Sequence, residues 1–219
     1  DVILSRSITG NSIGAKLTIP QGTLFTDSSG NSWLSARDVT WYSNVTTCKV
    51  PIIQHEKYTA SALNNMLIPT GDRVIVHLGT LPNGKYYEQG SMSLQIGGET
   101  WVLVDTFAKS KPTDKHFMVS VDEALNPYIM FGDGTFGKKP AAGAKITNVV
   151  FYLTNGTQGN VKSNTITSVP SIISSSITDA TVSNAYDAGG GSNYENFIML
   201  KEHIPLSVKT LGVAITKED

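Results

Sequence analysis

Turn signals recur at short intervals from Pro20 to Gly156, and the apolar runs between them suit short strands rather than long helices. "AKLTIP" places Ala15, Leu17 and Ile19 on one face. "GTLFTDSSGNSWLS" reads as two strands around a turn from Asp27 to Asn31. In "DRVIVHLG", Val74, Val76 and Leu78 alternate with Arg73, Ile75 and His77, the period of a half-buried strand. "SMSLQIGGETWVLVDTF" sets Met92, Leu94 and Ile96 against a second strand across a Gly97-Gly98 turn, a strong hairpin signal. "HFMVSVDEALNPYIMFGDG" supplies Phe117, Val119 and Val121 and then a return strand from Tyr128 to Phe131, and "ITNVVFYLTNG" adds another. The expected class is mainly β, a sandwich or distorted barrel.

Two stretches interrupt this pattern before residue 170: "PTGD", and "EKYTASALNNML", where Tyr58, Ala62 and Met66 fall four apart and suggest a short helix. After Val169-Pro170 the composition shifts to "SIISSSITDATVSNA", a long alternation with Ile173, Ser175, Ile177 and Asp179 on one parity. Gly189-Gly190-Gly191 follows as a hinge-like turn. Ser192 to Glu195 then forms a capping box, with Tyr194, Phe197, Ile198 and Lys201 at helical spacing. Pro205 ends that helix or opens another at its first turn, and Leu211-Gly212 stops it. The expected organisation is a β-rich domain over 1–169 that holds the FGDG hairpin, then the start of a smaller α/β domain over 170–219, α+β overall.

A chain of 219 residues buries roughly 70% of its unfolded surface without help from disulfides or metals. Net charge is -1 and only 16% of residues are charged, so the basic stripe of a nucleic-acid binder is missing. No apolar run approaches the roughly 20 residues of a membrane span, and no signal peptide opens the sequence. The single cysteine, Cys48, excludes an internal disulfide framework and a cysteine-rich zinc site, and cytoplasmic synthesis is expected. The sequence begins at Asp1 inside an apolar run and ends in Thr216-Lys217-Glu218-Asp219, a capping box with no helix after it. The natural polypeptide is therefore expected to extend beyond both ends.

The four histidines, His55, His77, His116 and His203, form no His-x-x-x-His pair, and no nucleophile elbow or phosphate loop occurs. No metal, nucleotide or other cofactor is expected. Asp133 with Asp122 or Glu123 is the nearest approach to a glycosidase carboxylate pair, although acids in β-turns more often serve local hydrogen bonds. The sequons at Asn44 and Asn155 carry little weight in a threonine-rich chain. In "FGDGTFGKKPAAGAKI", Gly132, Asp133, Gly134, Gly137 and Pro140 read as structural turn residues, with Phe136 folding back as an apolar plug. A rigid loop of this kind needs no ligand and suits a contact surface.

"IPQGTLF", "FGDGTFGKKPAAGAKI", "FYLTNGTQGNV" and the tail "GGGSNYENFIMLKEHIPLSVKTLGVAITKED" occur in an order that resembles the baseplate J family of contractile phage tails. Ile204-Pro205 stands for that family's Ala-Pro break and Ala214-Ile215-Thr216 for its Ala-Val-Thr helix start. Gly212-Val213 replaces an arginine commonly found there. The resemblance covers nearly the whole chain. It implies a structural baseplate wedge protein of the virion, assembled in the host bacterial cytoplasm and not an enzyme. It further implies a ring around the tail hub, in which copies associate as homodimers and contact other wedge subunits, including the sheath-initiating protein. Tyr194, Phe197, Ile198, Ile204 and Leu206 form the candidate interface for self-association. A baseplate subunit of a bacteriocin-type or secretion-type injection machine is the close alternative. A carbohydrate-binding tail adhesin is the alternative from another class, with Trp33, Trp41, Trp101, Tyr86 and Tyr87 as its candidate aromatics.

Overall fold

The structure is a computed structural model that describes residues 1–7, 16–59 and 65–193. Its buried side chains fall into two separate apolar cores, both built from short strands. The first core gathers β1 (Val2–Ser5), β2 (Lys16–Ile19), β3 (Leu24–Thr26), β4 (Ser32–Ser35), β5 (Val39–Tyr42), β6 (Thr47–Val50) and β7 (Ile52–Ile53). These pair as small antiparallel sheets: β2 with β5, β3 with β4 and then β7, and β6 with β1. Alternation does the sorting. In β6, Cys48 and Val50 are buried while Thr47 and Lys49 face out, and in β3 and β4 the paired Phe25 and Trp33 turn inward.

The second core belongs to β8 (Glu56–Tyr58), β9 (Ile75–His77), β10 (Tyr86–Tyr87), β11 (Ser93–Ile96), β12 (Glu99–Leu103), β13 (His116–Val121), β14 (Pro127–Phe131) and β15 (Ile146–Thr154). They form one sheet in the order β10-β15-β11-β12-β13-β14-β9, with β8 added on β15. The Gly97-Gly98 turn joins β11 to β12 as the sequence suggests, with Leu94 opposite Trp101. β12 and β13 run parallel, so the intervening residues 104–115 cross over outside the sheet. β15 is kinked by a bulge at Asn148, which takes φ +52° and donates from its amide to Gln95 Oε1 at 2.7 Å. The sheet curls, and residues 65–77 span its open side. They bond to the 143–146 segment through Ile68 and Ala144 and to β14 through β9.

The α/β segment expected from residue 170 is corrected by the described part of the tail. Ser171–Ser174 forms a single helical turn, α1, and Thr181–Ser183 forms a strand, β16, that pairs antiparallel with β1. Ile173 and Ile177 are both fully buried because they lie four residues apart on the turn, a spacing that strand alternation does not explain. Ile173, Ile177 and Val182 join Val2, Leu4 and Ile166 in the first core, so the expected boundary at residue 170 falls inside one cluster. The chain thus enters the first core, builds the second, and returns to complete the first. Tyr58, placed on the expected short helix, lies in β8 against Phe151. Residues 60–64 of that helix, and the expected helix from Tyr194 onward, lie outside the described residues.

The Asp27 turn shows how a polar residue organises the first core. Asp27 is only 7% exposed, and its carboxylate accepts four hydrogen bonds. Oδ1 takes the Ser29 and Asn31 N–H groups, and Oδ2 takes the Asn31 amide at 2.9 Å and the Trp33 indole at 3.1 Å. Burial pushes its pKa up, but the bonds from Trp33, Asn31 and Ser29 outweigh that push and leave it below the ordinary value. A carboxyl depressed in the folded state stabilises the fold above its unfolded pKa, and the effect is lost as pH falls through the lower, folded value. We expect Asp27→Asn to cost about 1–3 kcal/mol at neutral pH. The variant should also lose less stability than the parent on acidification. Urea melts at a series of pH values check this, and parallel acid limbs for the two proteins would contradict it.

Candidate functional site: the FGDG hairpin and the joint between the cores

The FGDG hairpin leaves β14 at Phe131, whose ring meets Trp101 edge to face at 5.3 Å. Gly132 then crosses the returning strand so closely that a Cβ on it would sit 2.4 Å from the Gly137 backbone. Gly134 and Gly137 take φ +95° and +83°, a region that only glycine enters freely, and Gly134 N–H donates to Gly137 O at 3.0 Å. Asp133 Oδ1 accepts the Phe136 N–H at 2.9 Å and the Thr135 N–H at 2.7 Å, which together hold its carboxyl below the usual range. Pro140 is buried at the exit. The five turn residues read from the sequence therefore meet in one tight loop.

Phe136 departs from expectation. Its side chain is 53% exposed, so it is displayed at the tip and plugs nothing. The Gly132–Gly137 crossing leaves no room for a ring inside the loop. Phe107, from the β12–β13 crossover, covers Gly137 from outside instead. The loop lysines face carboxylates: Lys138 lies 3.9 Å from Glu99, which Lys115 holds at 2.6 Å, and Lys139 lies 3.9 Å from Asp72. Lys115 first, and then Lys138, lower the Glu99 pKa.

The other sequence candidates are dispersed. Asp122 bonds to the Ala124 and Asn126 N–H groups before β14 begins, whereas Asp133 follows its end. Five extended residues between them span roughly 17 Å, far beyond the separation of about 5–9.5 Å in glycosidase carboxylate pairs. His77 rests on Tyr128, and His116 Nδ1 lies 2.8 Å from the Ser110 hydroxyl. His55 stacks on Tyr152 beside Glu88, and burial lowers its pKa despite that carboxylate. His203 lies outside the described residues. Among the described residues no group of three His, Cys, Asp or Glu side chains could hold a metal. Trp33, Trp41, Trp101 and Tyr87 are buried in the two cores, and Tyr86 is partly buried. The interface set Tyr194, Phe197, Ile198, Ile204 and Leu206 lies outside the described residues.

The residue that sequence reasoning missed is Asn155. It follows β15 where the chain passes from the second core back toward the first, and it is 4% exposed. Its amide donates to Asn31 Oδ1 in the Asp27 turn, and its Oδ1 accepts from Lys85 Nζ at 2.7 Å. Lys85 in turn pairs with Glu56 at 2.7 Å, and the Asn155 N–H donates to Gln54 Oε1 at 2.8 Å. A relay of polar side chains thus runs from Trp33 and Asp27 through Asn31 and Asn155 to Lys85 and Glu56. It ties one core to the other. The Asn-Gly-Thr triplet around Asn155 hid this role behind a glycosylation signal, and the buried, doubly bonded amide leaves no access for a glycan. Beside this joint opens a cleft of about 610 Å³, lined among others by Ile53, His55, Glu88, Tyr186 and Ser192.

No family model, no curated protein and no solved structure matches this chain.

The loop geometry ranks three substitutions. Gly132→Ala should be the most damaging, at several kcal/mol, because its Cβ would collide with backbone that cannot rotate away. Gly134→Val should cost about 1 kcal/mol or more through backbone strain. Asp133→Asn should be nearly silent at neutral pH, because an amide oxygen accepts the same N–H groups. Thermal melts of the three variants check the order, and a charge-dependent role for the loop would show as Asp133→Asn falling below Gly134→Val.

Proposed function

We propose that this chain is a structural component of the baseplate wedge of a contractile phage tail, contributing to the ring around the tail hub and to baseplate assembly in the virion. Four motifs in family order support the reading, and the FGDG hairpin carries it. The hairpin's backbone is held by the Gly132–Gly137 crossing, the Asp133 bonds and the Lys138 N–H bond to Asp114 O at 2.7 Å. On that rigid loop stands an aromatic ring that the fold itself does not use. A preorganised, exposed aromatic loses little entropy on docking and is a suitable interface anchor. The partners in this reading are further copies of the chain, as homodimers, and other wedge subunits, including the sheath-initiating protein. An equivalent subunit of a bacteriocin-type or secretion-type machine would use the same device. Neither a nucleic acid nor a membrane has a part in it. No helix among the described residues is long and apolar enough to cross a bilayer.

Co-expression with the wedge subunits encoded beside it, followed by size-exclusion chromatography, tests the assignment. The parent chain should co-migrate with them, and Phe136→Asp should weaken that association at least tenfold while its melting temperature stays unchanged, since a charge buried at an interface costs several kcal/mol. A parent chain that stays apart from every wedge subunit would overturn the assignment. An unaffected variant would remove Phe136 from the interface.

A further inference from the structure

A row of apolar side chains stands on the solvent face of the β3-β4-β7 sheet. Leu24 faces Leu34 and Leu34 faces Ile53 in register, so all three project from the same side. Leu24 is 51% and Ile53 46% exposed, whereas Phe25 and Trp33 on the opposite face are buried. A groove runs past Leu34 and Ile53 to His55, Glu88 and Tyr152. The cleft beside the joint is lined by the same Ile53, His55 and Glu88, and at its other end by Gly191 and Ser192. The two depressions therefore make one channel with an apolar floor.

The chain itself is delivered to the mouth of this channel. Gly191 exchanges two hydrogen bonds with the Asn160 side chain, its N–H donating at 2.8 Å and its O accepting at 2.9 Å. Asn193 Oδ1 accepts the Thr157 N–H at 2.9 Å. Residue 194 therefore starts from a fixed point, and the next residues are Tyr194, Phe197, Ile198, Met199 and Leu200. Four extended residues reach about 14 Å, and the tether supplies an effective concentration of about a millimolar.

We infer that the channel is the docking site of the chain's own 194–200 segment, with Phe197 against Ile53 and Leu34. Docking there covers apolar surface on both sides. It also makes the tail a clasp across the joint between the cores. The inference stands apart from the wedge assignment, and it leaves subunit contacts to the FGDG hairpin and other surfaces.

Cross-linking in the full chain tests it. In a Cys48→Ala background, Ile53→Cys with Phe197→Cys should oxidise to an intramolecular disulfide, seen as a faster monomer band without reductant. Val102→Cys with Phe197→Cys, using an exposed position in the other core, should not. Absence of the first cross-link, equal yield from both pairs, or a cross-link found only in dimers would overturn the inference. The dimer result would place a second copy's segment in the channel. An independent measurement is maleimide labelling of Ile53→Cys, which should be about tenfold slower with the parent tail than with Phe197→Asp. Val102→Cys labelling should be unchanged. Equal rates at Ile53→Cys, or a matching rise at Val102→Cys, would likewise overturn the inference.

Discussion

The structure depends on one buried amide. Asn155 joins the Asp27 turn of one core to the Lys85–Glu56 pair of the other, across sequence separations of 124 and 70 residues. Neither core is large, and small cores leave little margin once chain entropy is counted. Their mutual orientation needs groups that are directional and satisfied on both sides. An amide with one donor and one acceptor engaged meets that need where an apolar contact would let the cores slide. Gln54 fixes the Asn155 backbone, and the close approach of Gly159 to the Gln54 side chain keeps the joint tight.

The path of the chain explains why the joint sits where it does. The first core is begun by β1 to β7 and completed by α1 and β16, with the second core built between. Residues 53–56 and 154–160 are the two crossings. The polar relay gathers at these crossings, where two backbone segments must run side by side without regular strand pairing. The open channel lies along the same seam. On the far side, the FGDG hairpin closes the curl of the second core and shows its unused aromatic to solvent. The interior of the molecule is thus committed to holding two cores together, and its exposed features fall on the seam and on the hairpin.

Much of the β scaffold was legible because its signals are local. Period-two alternation placed β9, β11, β13 and β14, and glycine pairs located the turns, as at Gly97-Gly98. The Asp27–Asn31 turn was legible too, but not the four bonds on its carboxylate, which depend on Trp33 returning beneath it. Three features were misread or missed for physical reasons. Ile173 and Ile177 fit both a strand of alternating residues and a single helical turn, and only packing on β1 and Ile166 decides between them. Phe136 was read as a plug because exposed aromatics are uncommon, whereas the Gly132–Gly137 crossing excludes it sterically. Asn155 has three partners drawn from distant segments, so no local pattern announces it.

Coupling of the two cores through Asn155 is tested most directly by native-state hydrogen exchange on the parent chain and Asn155→Ala. In the parent, the slowest amides of β1 and of β13 and β14 should share one opening free energy, as parts of a single cooperative unit. In the variant, those of one core should exchange faster than those of the other, with the two values separating by about 1 kcal/mol or more. Equal slowing or equal acceleration in both cores, with no separation, would contradict the account.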